Sequence, residues 1–344
     1  MTETELLTIS DLFLSPINST GVTAEKITGG LINSTFKIQD SNGVNYILQK
    51  INTSVFKRPE DISYNIGLIT SFLKKSGYPR QLIELHRTAD NTTIVDHDKW
   101  GNWRMMNFFK KTSCIHSIEG VSQAVEAAKA LGEFHSYLID FEGKTLKETI
   151  PDFINFTFRL NQFEASLSHG VKERIHSCEE QIAVIKSHYG LLDDYLKLCE
   201  ELPIRVLHGD PKISNFLFRE MSDDVVALID WDTIVAGPVL YDFGDMVRSF
   251  MNPGKEDELS DKDNFDIELY RAIHEGYLFH LRNKLTPLEK DNLMLGAKTV
   301  TLIQAMRFLT DYLVGDIYYQ TIDKEQNKRR AMNQIRLLKN LTGH

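Results

Sequence analysis

Residues 204–232 read IRVLHGDPKISNFLFREMSDDVVALIDWD, and they restrict the fold of this 344-residue chain more than any other stretch. IRVL, FLFR and VVALI are short apolar runs with strand character. The polar EMSDD between the last two predicts a β-hairpin. A turn centred between Ser222 and Asp223 sets Asn215 opposite Asp230, at the end of the hairpin that lies next to His208-Gly209-Asp210. On both sides of this island the apolar residues recur at helical spacing.

The rest of the chain divides by periodicity. In the first hundred residues, ITGGLINSTFKI and VNYILQKI alternate apolar and polar around the turn SNG (41–43), and NTTIVDH and WRMMNFF read as further strands. Pro59-Glu60-Asp61 opens one helix that ends near Gly77. A small mixed sheet with one helix is expected there. From about Val121 the pattern is helical, with helices expected over roughly 172–200, 265–283, 286–313 and the last stretch of the chain. The fold class is α+β: a β-rich lobe, 1–108, precedes a larger helical lobe, 109–344, joined near 107–112. Clefts between lobes favour ligands.

The formal net charge of −9 argues against nucleic acid or an anionic membrane as the main partner. Cys114, Cys178 and Cys199 fit neither a disulfide framework nor a zinc site, and read as buried, reduced thiols. MTETELLTIS lacks the basic and apolar segments of a signal peptide, and no apolar run reaches the ~18 residues of a membrane span. A cytoplasmic location is expected. Oligomeric state is not legible.

The hairpin island carries the chemistry. Magnesium takes one or two protein oxygen ligands, with water and phosphate completing its shell. Asn215 and Asp230 supply such oxygens. Asp210, five residues before Asn215, is placed to orient a hydroxyl and accept its proton, in the spacing of a kinase catalytic loop. Lys212 lies between them, in reach of a transferring phosphate. Asp232 is the reserve metal ligand, because residues i and i+2 of a strand share a face. Asp242-Phe243-Gly244 spells the magnesium triad of protein kinases. It follows Pro238, however, and no hairpin geometry returns it to Asn215; Asp242 reads as an N-cap for a helix beginning near Phe243. His135 reads as a satisfied core histidine, and His208 as a brace for the loop.

HGDPKISNFLF together with ALIDWDTIVAGPVLYDFGD resembles the phosphate-transfer motifs of the aminoglycoside phosphotransferase and choline kinase superfamily. GGLINSTFKI, YILQKIN with VFKRPEDI, and RFLTDYLVGDIYY further resemble its N-acetylhexosamine 1-kinase branch. The resemblance runs from about residue 27 to 330. It implies a two-lobed protein-kinase-like fold, with ATP and Mg2+ between the lobes, and transfer of phosphate to the anomeric hydroxyl of N-acetylglucosamine or N-acetylgalactosamine. It makes Asp210 the base and Asn215 and Asp230 the metal ligands. It makes Lys50 a phosphate-binding residue and places Gly29, Gly30 and Asn33 at the turn over the phosphates. The adenine falls near Asn107 to Phe109. One departure stands out: a kinase-like lobe pairs its lysine with a glutamate on the next helix, and ISYNIGLITSFL offers Asn65 instead, with Glu60 and Asp61 at the helix start.

For the acceptor, Arg307 has two readings: an ion pair with Asp311 one turn on, or a donor to sugar hydroxyls and an acetamide carbonyl. Tyr318 either meets the sugar or packs with Tyr319 against the last helix. A small-molecule sugar is the expected partner. The alternatives are another acceptor (choline, ethanolamine, an aminoglycoside or a different sugar) and a catalytically silent nucleotide-binding protein.

Overall fold

The computed structural model describes residues 2–14, 23–27, 32–252 and 265–343. The chain forms two compact units: Met1–Thr112 with Lys144–Pro151 and Trp231–Val235, and Ser113–Gly143 with Asp152–Asp230 and Ala236–His344. The expected lobes, 1–108 and 109–344, were continuous. The observed first unit takes back two short segments from later in the chain.

In the first unit, α1 (Glu3–Ser10) precedes β1 (Thr23–Ile27), β2 (Ser34–Gln39) and β3 (Asn45–Lys50); α2 (Pro59–Lys75) leads to β4 (Val95–His97) and β5 (Gly101–Asn107). The sheet order is β1-β2-β3-β5-β4, and every described pairing is antiparallel. The expected mixed sheet is therefore corrected. β4 returns after α2 in the direction of β3, but β5 lies between them, so no parallel pair forms. Two helices accompany the sheet, not one. α1 has a capping box, Thr2 accepting from the Glu5 N–H while Glu5 accepts from the Thr2 N–H. It buries Leu6 and Ile9 in a core with Ile38, Leu48, Trp103 and Met105.

Asp40 shapes the β2–β3 turn by accepting from the N–H groups of Asn42 and Val44 at 2.9 and 2.8 Å. The alternation along β3 then sends Leu48 and Lys50 to one face and Gln49 to the other. Gln49 faces Thr35 and Arg104 across the ladder, and bonds both.

The second unit is helical around one apolar element. The helix Leu293–Val314 is buried on nearly every side, as an all-round apolar helix must be. Phe156–His169, Tyr189–Cys199, Leu240–Phe250 and Gln326–Thr342 pack on it. The crossing with Leu240–Phe250 is backbone to backbone: a Cβ at Gly244 would lie 2.5 Å from the Gly296 carbonyl oxygen, and one at Gly296 2.5 Å from that of Leu240. Only glycine allows that approach. The stretch 172–200 holds three helices, Lys172–His176, Glu179–Ser187 and Tyr189–Cys199, rather than one.

The hairpin Phe216–Arg219 with Val225–Leu228 is present, but its register differs from the expected one. Phe216 pairs with Leu228 and Leu217 with Ala227; after a bulge, Phe218 pairs with Val225. Met221 adopts φ +57°, and this left-handed residue shortens the turn. Of the cysteines, Cys178 is buried, Cys199 half-buried and Cys114 exposed, so the expected burial applies to the first alone. Among the described residues no helix is long and apolar enough to cross a membrane.

Candidate active site

In the second unit, the strand Arg205–Leu207 delivers His208-Gly209-Asp210, and a 3-10 turn, Ile213–Asn215, leads into the hairpin. Because the register is one residue shorter than expected, Asn215 faces Ile229, whose N–H donates to the Asn215 carbonyl at 2.9 Å. Asp230 is the next residue and leaves the ladder with φ +65°. Aspartate tolerates this left-handed conformation better than most residues, though still at a cost. Asn215 and Asp230 thus still come to the same end of the hairpin, by a kink rather than by direct pairing.

Asp210 is held on one side only. Its Oδ2 accepts from Lys212 Nζ at 2.6 Å and from Asn215 Nδ2 at 3.2 Å, while the Asn215 amide also donates to the Asp210 carbonyl at 2.7 Å. Oδ1 has no hydrogen bond among the described residues, so one carboxylate oxygen is available to a hydroxyl. The Asn215 amide is turned so that its nitrogen faces Asp210, which leaves its Oδ1 as a hard oxygen ligand. Among the described residues no group of three His, Cys, Asp or Glu side chains stands ready for a metal. One amide oxygen and one carboxylate suit an ion that keeps water and phosphate in its shell. The residues present therefore fit magnesium.

His208 braces the loop as expected. Its Nε2 donates to the Ile229 carbonyl at 2.9 Å, which leaves Nδ1 to accept from the Asp210 N–H at 3.4 Å. Burial lowers its pKa, with Asp242 and Asp210 opposing, and favours the neutral ring that this pattern requires.

Sequence reasoning missed the organiser of this loop. Asp242 is fully buried in the first turn of Leu240–Phe250, whose N-cap is Val239. It does not cap its own helix. It accepts instead from the backbone N–H groups of His208 and Gly209 at 2.6 and 2.9 Å and bonds His135 Nε2 at 2.9 Å. His135 also bonds the Tyr277 hydroxyl at 2.8 Å, a satisfied core histidine as read. Ser249 on the same helix accepts from the Ile213 N–H at 3.0 Å. One helix thus fixes the loop on both sides of Asp210.

In the first unit, Asp232 is not a reserve ligand. It forms a buried ion pair with Arg104 at 2.6 Å, both side chains being 2% exposed. Trp231–Thr233 is a 3-10 turn, so the strand alternation assumed for Asp230 and Asp232 does not apply. Arg104 was missed as well, although a lone arginine inside an apolar strand demands a buried acceptor. Asn33 belongs to the same network: its amide nitrogen donates to Asp232 at 2.8 Å and its oxygen accepts from the Asn52 N–H at 3.0 Å. One amide N–H and one lone pair of its oxygen are thereby engaged, and its place over the phosphates stays a proposal. Asn107 donates to the Leu82 carbonyl and accepts from the Glu84 N–H. Phe109 is buried. Gly29 and Gly30 lie outside the described residues.

Lys50 ends β3 and makes no ion pair among the described residues. Asn65 does not hold it: the Asn65 amide is fully buried and bonds both the N–H and the carbonyl of Lys147, each at 2.8 Å. Asp61 pairs with Arg58 at 2.7 Å. Asn65→Leu is accordingly expected to cost about 1–3 kcal/mol of stability through two stranded backbone groups. It should leave the KM for ATP within about twofold, as steady-state kinetics beside urea unfolding would read. A tenfold rise in KM would restore Asn65 as the partner of Lys50.

On the acceptor side, Asp311 does not pair with Arg307. It accepts from the N–H groups of Ile317, Tyr318 and Tyr319 and from Asn327 Nδ2, closing the turn after its helix. Arg307 donates to Gln304 at 3.1 Å and lies over the rings of Phe153 and Tyr319, at 5.7 and 5.8 Å. Tyr318 is half exposed and meets Tyr319 edge to face at 4.9 Å. Burial, then Asp245, then Asp242 and Asp210, push the Tyr241 hydroxyl well up, with Arg307 opposing.

The sequence model of a phosphotransferase enzyme family matches residues 23–279, three quarters of the chain. The chain belongs to the phosphotransferase enzyme family. Solved structures share the fold of this phosphotransferase at low identity. A microcompartment-associated aminopropanol kinase is 12% identical, with 99% of this chain and 97% of that chain covered and a TM-score of 0.68. A spectinomycin phosphotransferase in complex with ADP and spectinomycin is 13% identical over 98% and 97%, TM-score 0.64. Choline kinase from Cryptosporidium parvum Iowa II is 14% identical over 99% and 97%, TM-score 0.60.

Proposed function

We propose that this phosphotransferase is a small-molecule kinase that moves the γ-phosphoryl group of ATP to a sugar hydroxyl, the anomeric hydroxyl of an N-acetylhexosamine being the specific candidate. The observation that carries the reading is Asp210, with one carboxylate oxygen held by Lys212 and Asn215 and the other available. In this role Asp210 orients the acceptor hydroxyl and takes its proton. An anomeric hydroxyl is more acidic than an ordinary alcohol, so a carboxylate base is adequate. Lys212 sits beside the base, where it offsets charge as the phosphoryl group transfers. Asn215 and Asp230 would hold magnesium, which when bound neutralises phosphate charge. Lys50 is retained for the phosphates. Arg307, between aromatic rings, donates to sugar oxygens and repels an ammonium acceptor; Tyr318 lines the same region.

ATP consumption with magnesium, against N-acetylglucosamine, N-acetylgalactosamine, glucose, galactose, mannose, choline and kanamycin, tests the reading. Turnover with an N-acetylhexosamine is expected. Arg307→Ala should then raise the acceptor KM about tenfold or more at unchanged KM for ATP, the loss of a charge-assisted hydrogen bond. Turnover with choline or kanamycin alone, insensitive to Arg307→Ala, would keep the kinase and discard the sugar.

A further inference from the structure

Arg159 and Arg307 share one aromatic wall in the second unit. Arg159 Nη2 donates to the Phe153 carbonyl at 3.4 Å, and the Arg307 guanidinium lies over the Phe153 ring. Neither arginine has a carboxylate within ion-pair distance among the described residues. Each instead bonds a neutral glutamine three residues away on its own helix: Arg159 to Gln162 at 3.0 Å and Arg307 to Gln304 at 3.1 Å. Arg159 is 9% exposed, and its Nε is buried with no hydrogen-bond partner. The Asp245 carboxylate, which favours the charge on Arg307, is committed to Arg248 at 2.8 Å.

Two like charges placed together, largely out of water and without a counterion, are costly. Stacking offsets part of that cost, for Arg159 lies over Phe158 at 5.4 Å. It does not neutralise charge. Burial lowers the Arg159 pKa and the charge of Arg307 lowers it further, so the two guanidinium groups feel one another. Arg307 keeps its charge, as a guanidinium does throughout the working pH range. A fold that needed only packing here would be served by leucine or methionine. A guanidinium pair with an unused N–H is suited to an anion, which Arg binds in a forked geometry.

We infer that Arg159 and Arg307 bind an anionic group on the acceptor, so that a sugar bearing a carboxylate or a phosphate ester is used better than its neutral counterpart. The inference rests on the sugar-kinase reading above and narrows its substrate class. The hydroxyl is presented to Asp210 and the anion to the arginines.

The test is kcat/KM for matched pairs: glucose against glucuronate, and N-acetylglucosamine against its 6-phosphate. It is run on the wild type, Arg159→Gln and Arg159→Lys, with thermal stabilisation by glucuronate and by inorganic phosphate as a second readout. The anionic member of a pair is expected to lead by about tenfold to a hundredfold, the worth of a charge-assisted contact. The pair that shows the lead tells carboxylate from phosphate. Arg159→Gln should erase the lead through KM, at little change in kcat, and Arg159→Lys should restore part of it. Melting of the glutamine variant without ligand should be no lower than wild type, because a like-charge repulsion is removed. Equal use of neutral and anionic sugars would overturn the anion site and leave the kinase reading standing. No turnover of any sugar, with anion stabilisation lost in Arg159→Gln, would support the anion site and overturn the sugar. Neither turnover nor stabilisation would overturn both.

Discussion

Asp210→Asn is expected to lower kcat with the acceptor by about 10²–10⁴-fold, the usual contribution of a positioned base. KM for ATP should change little. The replacement keeps the shape of the side chain, and the Asn215 amide still donates to the residue 210 backbone carbonyl, a contact of 2.7 Å in the wild type. What disappears is the ability of the free carboxylate oxygen to take a proton. Steady-state kinetics with saturating magnesium and varied acceptor would measure it. A fall of less than about threefold would place the proton acceptor elsewhere, because no positioning effect alone would compensate for a missing base.

The second large effect is on stability. Asp242→Ala should cost about 3–5 kcal/mol, since it strands two buried backbone N–H groups and one histidine partner, each a desolvation penalty of about 1–3 kcal/mol. Asp242 is wholly buried, as is His208, and the amides of His208 and Gly209 both bond its carboxylate. Asp242→Asn retains one acceptor oxygen and should cost less. Urea unfolding read by fluorescence would separate the two, with a midpoint shift at unchanged slope as the signature of lost stability. The alanine variant should also lose activity, because Asp210 follows directly on the two stranded amides. A cost under about 1 kcal/mol would mean that the loop is anchored by other contacts.

How far the sequence could be read follows from how local each feature is. HGD, the spacing to Asn215 and the polar turn all lie within a few tens of residues, so the chain alone brought Asp210, Asn215 and Asp230 together. The slip of one residue in register was not visible, because it rests on the left-handed Met221 and a bulge at Leu217/Phe218. Asp242 was misjudged because its partners come from other segments, His208 and Gly209 on one side and His135 on the other. An aspartate near a helix start has a ready local use, and only the fold reveals the remote one. Asn33 and Asn107 illustrate the same limit: the sequence does not show that Asn33 bonds Asp232 and the Asn52 N–H, or that Asn107 bonds the backbone of Leu82 and Glu84. Two signals were on the page and unread. Thr2 and Glu5 have capping-box spacing, and Arg104 stands alone among apolar strand residues.

In the roles proposed for Asp210 and Arg307, the crossing at Gly244 and Gly296 ties catalysis and selectivity into one mechanical part. The helix bearing Asp242 meets the helix bearing Arg307 backbone to backbone at these two glycines. Sliding either helix to accommodate a new acceptor would drag the base loop with it. New substrates are therefore open to this scaffold by exchanging side chains at positions such as 159 and 307. Re-tilting the helices leads first to a dead enzyme, and descendants that change diet should keep both glycines.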